Sequence, residues 1–231
     1  MKTMTTVVLA AAALLLAAPS HAQTTPWSGA PRPSIRDNPG TLGQTYADLN
    51  YSWVDYHRDA GVDADGFIAG LGANSPITSG LDLGLGYNYY RENHHRNPFN
   101  NSTYDARYHG LGSGLTWYAP TGRMKPFLSG GLGYQWSRGD LQSLRTYDHE
   151  WTWNAGGGVQ LALGTFSLTP RLAYSDTWRS GSIGQWHYGA EAHHWFSEQV
   201  GGYVDATFHD PRHSVAGPEY WTYTAGLRLR F

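Results

Sequence analysis

The sequence predicts an all-β chain whose ten antiparallel strands close into a transmembrane β-barrel with both termini on the periplasmic side. Three observations predict it. Apolar residues alternate with polar residues or glycine in run after run, the period-two signature of a strand with two unlike faces. Aromatic residues gather at the ends of those runs, where amphipathic rings meet lipid headgroups. The connections between runs alternate short and long, as in barrels with short periplasmic turns and longer outside loops.

The last run shows the pattern most plainly. Trp221, Tyr223, Ala225, Leu227, Leu229 and Phe231 share one parity, and Thr222, Thr224, Gly226, Arg228 and Arg230 share the other. The apolar face begins and ends in aromatics with aliphatics between, which suits hydrocarbon better than a soluble core. Thr224, Gly226, Leu229 and Phe231 fit a polar–x–Gly–x–x–apolar–x–aromatic spacing. That spacing resembles the C-terminal assembly signal of bacterial outer-membrane β-barrels, and the resemblance implies the barrel assembly machinery as a partner during biogenesis.

Domain organisation follows from the other end. Lys2, the apolar run Val7–Ala18 and the small–x–small site Ser20-His21-Ala22 form a Sec signal peptide over residues 1–22. The run is too short to span a bilayer, and no later stretch reaches about eighteen consecutive apolar residues. Residues 23–42, with Pro26, Pro31, Pro33 and Pro39, read as an extended periplasmic segment. Residues 43–231 form the barrel. The chain has no cysteine, so no disulfide or thiolate metal site holds it. Its net charge of −2 argues against nucleic acid as a partner. Glycine, at 29 residues, and aromatics, at 14 %, point to β structure with close backbone approach.

The elements follow in order at a spacing of roughly nineteen residues. Gln44 to His57 sets Ala47, Leu49, Tyr51 and Trp53 against Tyr46, Asp48, Asn50 and Ser52. Asp63 to Ala73 sets Phe67, Ala69 and Leu71 against glycines, and Asn74-Ser75-Pro76 is expected to turn. Leu81, Leu83, Leu85, Tyr87 and Tyr89 form the third run, and Arg91 to Thr103 a long loop. The fourth, Tyr104 to Tyr118, is clean at Leu111, Leu115 and Trp117, but Asp105, Arg107 and His109 share that parity; a bulge near His109 would restore the pattern. Pro120-Thr121-Gly122 turns into the fifth run, which carries Leu128, Leu132, Tyr134 and Trp136. A loop over Gly139 to Asp148 precedes the sixth, with Trp151, Trp153, Val159 and Leu161. Gly164-Thr165 turns into the seventh, which holds Phe166, Leu168 and Leu172. Arg179 to Gly184 loops to the eighth, with Trp186, Tyr188 and Phe196. Ser197-Glu198 turns to the ninth, with Val200, Val204 and Phe208, and then comes the C-terminal strand. Eight strands is the alternative count, if the second or fourth run is not a full strand.

Repeats such as Leu83-Gly84-Leu85-Gly86-Tyr87 and Gly130-Gly131-Leu132-Gly133-Tyr134 resemble the outer-membrane β-barrel family of OmpA-like and opacity-type porins over about Gly43 to Phe231. The resemblance implies the barrel architecture and an outer-membrane location. No peptidoglycan-binding module is expected after the barrel.

The inward faces carry Asp48, Asp82, Arg171, Glu191, Asp205, Arg228 and Arg230. Folding the hairpins about Gly181 and Glu198 predicts Arg171 opposite Glu191 and Glu191 opposite Asp205. Ring closure brings Asp48 toward Arg228 or Arg230. Charges in a narrow lumen are expected to pair, because an unpaired one is costly. Eleven histidines raise a metal or enzymatic alternative. His193 and His194 cannot chelate together, since neighbours on a strand point to opposite faces. His94-His95 sits in a loop, and His187, Glu191 and His209 are the best catalytic candidates, though without a serine in a recognisable nucleophile motif. No cofactor or metal is expected. Arg91, Arg96, Arg138, Arg145 and Arg179, with Arg58 and Arg212, are placed on loops, where guanidinium forks suit lipopolysaccharide phosphates. The function expected is an integral outer-membrane protein with a structural, surface or porin-like role rather than an enzyme. A narrow solute or ion channel and a lipid A- or phospholipid-modifying enzyme are the alternatives.

Overall fold

The computed structural model describes residues 40–56, 65–96, 103–120, 122–141, 144–179, 184–211 and 219–231. The expected signal peptide, most of the Pro-rich segment, Arg58 and Arg212 lie outside them. So do the side chains of His94, His95, Arg96 and Arg145.

The described strands are β1 (Tyr46–Tyr56), β2 (Asp65–Thr78), β3 (Leu81–Arg96), β4 (Thr103–Tyr118), β5 (Met124–Leu141), β6 (Leu144–Leu163), β7 (Phe166–Thr177), β8 (Gln185–Trp195), β9 (Val200–Pro211) and β10 (Tyr220–Arg230). Each pairs antiparallel with its sequence neighbours, and β1 pairs with β10 to close the ring. The ten-strand reading stands, and the weak second and fourth runs are full strands.

The chain is inverted relative to a soluble fold. Leu128 and Leu227 are 63 % and 54 % exposed, while Asp82 and Arg228 are 1 % and 5 % exposed. Leu49, Leu111, Leu115, Leu132 and Leu172 join the outward set. Such a belt, wrapped round a closed sheet with no unpaired edge, is stable in hydrocarbon and not in water. No helix among the described residues is long and apolar enough to cross a membrane; the strands cross instead.

Rings fringe both rims of this belt. Toward the long connections, Phe67, Tyr89, His109 and Trp136 contact in succession with centroids 5.1–6.0 Å apart. Tyr134–Trp151, Tyr174–Trp186 and Phe208–Trp221 continue the girdle. At the short-turn rim, His194 stacks on Phe166 at 4.2 Å and contacts Phe196 at 5.2 Å. Along β4 the rims are eight residues apart, from Trp117 to His109, which is about 27 Å of strand. Tilt reduces that to roughly the 20–25 Å of an outer-membrane belt.

Four local expectations change. The turn expected at Asn74-Ser75-Pro76 falls at Ser79-Gly80, because β2 runs to Thr78 through a register shift at Pro76/Thr78; proline can occupy such an irregular pair without donating to the ladder. Of the loop expected over Arg91–Thr103, residues 91–96 belong to β3 and Thr103 to β4; of that expected over Gly139–Asp148, the described residues are strand, since β5 and β6 stay paired from Met124↔Leu161 to Leu141↔Leu144. No bulge occurs at His109: β4 keeps one register with β5 from Tyr104 to Tyr118, and the irregularity in its pairing with β3 lies further out, between Glu92 and His95. His109 and Arg107 therefore stay on the outer face. Finally, β7 and β8 pair as Ser175↔Gln185, which centres their hairpin one residue before Gly181. Arg171 consequently faces Gly189 and not Glu191.

At the two-residue turn, Gly164 has φ +68°, a left-handed conformation that glycine adopts without strain.

Candidate functional site

The inner wall is asymmetric. From β3 to β6 it is built largely of glycine, with Gly84, Gly86, Gly112, Gly114, Gly131, Gly133, Gly156 and Gly158 on inward positions. These residues leave no bulk in the lumen, and on β6 the backbone is tight where they sit: a Cβ on Gly158 would collide with the Pro170 carbonyl oxygen. The facing wall, from β7 through β10 to β1, carries Asp48, Arg171, Glu191, Asp205 and Arg228.

Those charges form one layer across the middle of the barrel. Arg228 of β10 donates to both carboxylate oxygens of Glu191 of β8, at 2.6 and 2.7 Å. It reaches over β9, whose inward residue opposite Arg228 is Gly201. Its Cζ lies 3.9 Å from the ring centroid of Tyr203 and 5.1 Å from that of Tyr46. Asp48, its register partner on β1, approaches at 3.9 Å. Arg171 makes the same two-strand reach, over Gly189, to Asp205 at 2.7 Å, and donates to Thr207 at 3.1 Å. Thr207 in turn donates to Asp205 at 2.8 Å. Glu191 and Asp205 are register partners, so the two ion pairs lie side by side. Aromatic faces and bidentate carboxylates are what a buried guanidinium needs.

Asp82 and Arg230 stand apart from this layer. Asp82 accepts from the Gly43 amide and from Asn74 Nδ2, both at 2.9 Å, at the short-turn end. There residues 40–44 lie across the barrel mouth. Gln160 Nε2 donates to Thr41 Oγ1 at 3.1 Å, the Leu42 amide donates to Gln160 Oε1 at 3.4 Å, and Asn74 Nδ2 donates to the Gln44 carbonyl at 2.9 Å. Lys125 Nζ sits 5.9 Å from the Tyr118 ring centroid in the same cluster. Arg230 reaches Glu198 in the turn before β9, at 3.7 Å.

On the other side of the charged layer lies a cavity of about 600 Å³, lined by Asn50, Ser52, Tyr90, Tyr108, Gln135 and Tyr220, with Arg171, Glu191 and Asp205 at its floor. Beside it a hydrogen-bonded chain runs across four strands, β7 to β10. Ser175 Oγ lies 2.7 Å from His187 Nε2, His187 Nδ1 2.8 Å from His209 Nδ1, and His209 Nε2 2.9 Å from Thr222 Oγ1. Tyr220 stacks on His209 at 4.2 Å. Glu191, grouped with these histidines by the sequence, is taken by Arg228 instead. Ser175 and Thr222, which sequence reasoning missed, are the partners found. Both sit at inward parity next to a histidine row, the only signal that could have named them.

Of the C-terminal motif, Leu229 and Phe231 are exposed on the outer face, Thr224 Oγ1 lies 2.7 Å from Ser52 Oγ, and Gly226 packs under the Tyr203 ring. Arg91 and Arg96 lie on β3, Arg138 on β5 and Arg145 on β6, not on loops. Arg179 lies beyond β7 and donates to Asp148 at 2.6 Å, which holds that exposed carboxyl below its ordinary pKa.

No protein-family model and no curated protein matches the chain. Solved structures do. The translocator domain of the autotransporter NalP from Neisseria meningitidis superimposes with a TM-score of 0.50 at 12 % identity, over 85 % of this chain and 91 % of that one. Neisserial surface protein A gives 0.43 at 13 %, over 81 % and 97 %. The N-terminal β-barrel domain of Pseudomonas aeruginosa OprF gives 0.38 at 13 %, over 82 % and 100 %. At such identities the likeness is one of fold: that of an outer-membrane transmembrane β-barrel.

Proposed function

We propose that this chain is a sealed, non-enzymatic outer-membrane barrel with a surface role, exported by the Sec route, its short turns and both termini in the periplasm and its long strands β3–β6 projecting outside. The observation that carries the reading is the pairing of charges inside the barrel. The Arg228–Glu191 and Arg171–Asp205 pairs project into the lumen from one wall, and residues 40–44 bond across one end to Gln160, Asp82 and Asn74. Ten strands enclose little free space to begin with, so an ion would have to displace paired guanidiniums. The alternation of short turns with long strands supports the orientation. The exposed Leu229 and Phe231 edge supports recognition by the barrel assembly machinery.

Single-channel recording in planar bilayers tests this reading. The wild type is expected to give no discrete conductance steps, whereas Arg171→Ala combined with deletion of residues 23–44 is expected to give small ones. Steady wild-type conductance would make the narrow-channel alternative correct.

A second reading has one observation in its favour. Ser175 is hydrogen-bonded to a histidine that is itself bonded to a second histidine, the relation of a nucleophile to an oriented base. If that arrangement cleaves lipid acyl groups, mass spectrometry of lipid A and phospholipids from cells carrying the protein will show deacylated species that Ser175→Ala abolishes. Identical lipid profiles would remove the enzyme reading.

A further inference from the structure

One row of the inner wall alternates carboxamide and glycine. Asn50 of β1, Gly70 of β2, Asn88 of β3, Gly110 of β4 and Gln135 of β5 are successive register partners. Asn50, Asn88, Gly110 and Gln135 line the cavity of about 600 Å³. The two glycine positions differ. A Cβ on Gly70 would run into the carboxamides of Asn50 and Asn88, whereas a Cβ on Gly110 would meet no atom within 4 Å. An open recess therefore lies at Gly110, with Asn88 on one side and Gln135 on the other. Strand spacing sets those two backbones roughly 9–10 Å apart.

The recess is polar and uncommitted. Among the described residues, no hydrogen bond engages the side chain of Asn88 or Gln135, or that of Gln185, which lines the cavity from β8. Asn88 is exposed despite its inward parity, so the cavity admits solvent. One step outward, Tyr90 and Tyr108 are register partners whose rings stack at 5.4 Å, and the Tyr56 and Tyr90 hydroxyls meet at 2.5 Å. These tyrosines line the same cavity.

Size and lining decide what fits. The volume falls within the roughly 300–1,000 Å³ of small-molecule sites. An apolar guest would strip water from the amides and return no hydrogen bond. Glu191 and Asp205 are already paired with Arg228 and Arg171, so they offer a cation little. Glu150 of β6, the register partner of Gln135, disfavours an anion. A carboxamide both donates and accepts, and so does each hydroxyl of a sugar. A sugar ring also carries a face of C–H groups, which a tyrosine ring can cover while its hydroxyl bonds the rim.

We propose that the recess at Gly110 is a binding site for a neutral mono- or disaccharide unit, held between the Asn88 and Gln135 carboxamides beside Tyr90 and Tyr108. A free sugar and the end of a glycan chain offer the same chemistry. The assignment goes beyond the surface role proposed above and needs only the closed ring and its inner face.

The test uses the full chain folded into phosphatidylcholine nanodiscs, with a heat-dependent shift in electrophoretic mobility confirming the fold. Saturation-transfer NMR is recorded with glucose, galactose, maltose, lactose and maltoheptaose, against empty nanodiscs. At least one of these sugars is expected to receive saturation from the barrel, and glucuronate to receive none. Gly110→Leu fills the recess and should weaken binding more than tenfold. Gln135→Leu should weaken it about three- to tenfold, the equivalent of one hydrogen bond. Ser129→Ala, outside the cavity, should leave it unchanged. Transfer to maltoheptaose as strong as to maltose would place a chain end in the recess, and transfer to the small sugars alone a free sugar. Should Gly110→Leu not fold, Gln135→Leu decides. No transfer to any of the five sugars, equal transfer to glucuronate, or unchanged binding in the recess variants that fold would each overturn the proposal.

Discussion

Arg228 and Glu191 are joined by two parallel hydrogen bonds of 2.6 and 2.7 Å, although a whole strand, β9, lies between them. The span is possible because Gly201 opposite Arg228 leaves a gap in β9, and because Tyr203, the next inward residue of β9, offers its face at 3.9 Å from the guanidinium. Arg171 and Asp205 repeat the relation over Gly189. Reaching over glycine to the second strand away ties β7 through β10 together beyond their backbone ladders.

Breaking the first pair leaves a buried charge without its partner. Glu191→Ala is expected to lower barrel stability by about 3–5 kcal/mol. The double variant Arg228→Met/Glu191→Leu should recover most of that loss, because the buried charge is gone. Urea unfolding in phospholipid vesicles, followed by tryptophan emission, measures both. An unmoved midpoint for Glu191→Ala would mean that the pair does not hold the lumen together.

A charge placed on the outer face meets hydrocarbon. Leu132→Arg lies in the middle of the belt and is expected to cost about 2–4 kcal/mol in the same unfolding experiment. Tyr147→Arg, beyond the girdle, should cost about 0–1 kcal/mol. Equal costs at the two positions would contradict the depth assigned to each.

The segment across the barrel mouth depends on Gln160, which is 2 % exposed and bonds both Thr41 and Leu42. Gln160→Ala is expected to raise the rate of proteolytic cleavage within residues 40–44 by roughly tenfold, the equivalent of one or two hydrogen bonds. Heat stability of the barrel should fall far less. Unchanged cleavage would show that other contacts seat the segment.

The strands and their faces were legible because a period-two pattern survives wherever one face is apolar, from Ala47–Trp53 to Trp221–Phe231. The partners of Glu191 were not. A one-residue shift in the centre of the β7–β8 hairpin moves every pairing by two, so Arg171 meets Gly189 and passes to Asp205. Parity says which side chains enter the lumen, but not how far an arginine reaches once there. The extension of β3–β6 was also hidden: Glu92–Arg96 and Leu144–Glu150 look like loop because both faces are polar outside the bilayer, where nothing forces alternation. For the same reason Arg107 and His109 suggested a bulge, although an outward arginine is acceptable at headgroup depth.

The side of each strand that meets hydrocarbon decides the whole account, and the cysteine-free sequence makes it measurable without background. Single cysteines at Tyr223 through Leu229, spin-labelled in vesicles, report collisions with oxygen dissolved in the bilayer. Labels at Tyr223, Ala225, Leu227 and Leu229 are expected to collide freely with oxygen, and those at Thr224, Gly226 and Arg228 to be shielded. Oxygen access at the even positions, or water access at the odd ones, would contradict the barrel's orientation in the membrane and the function built on it.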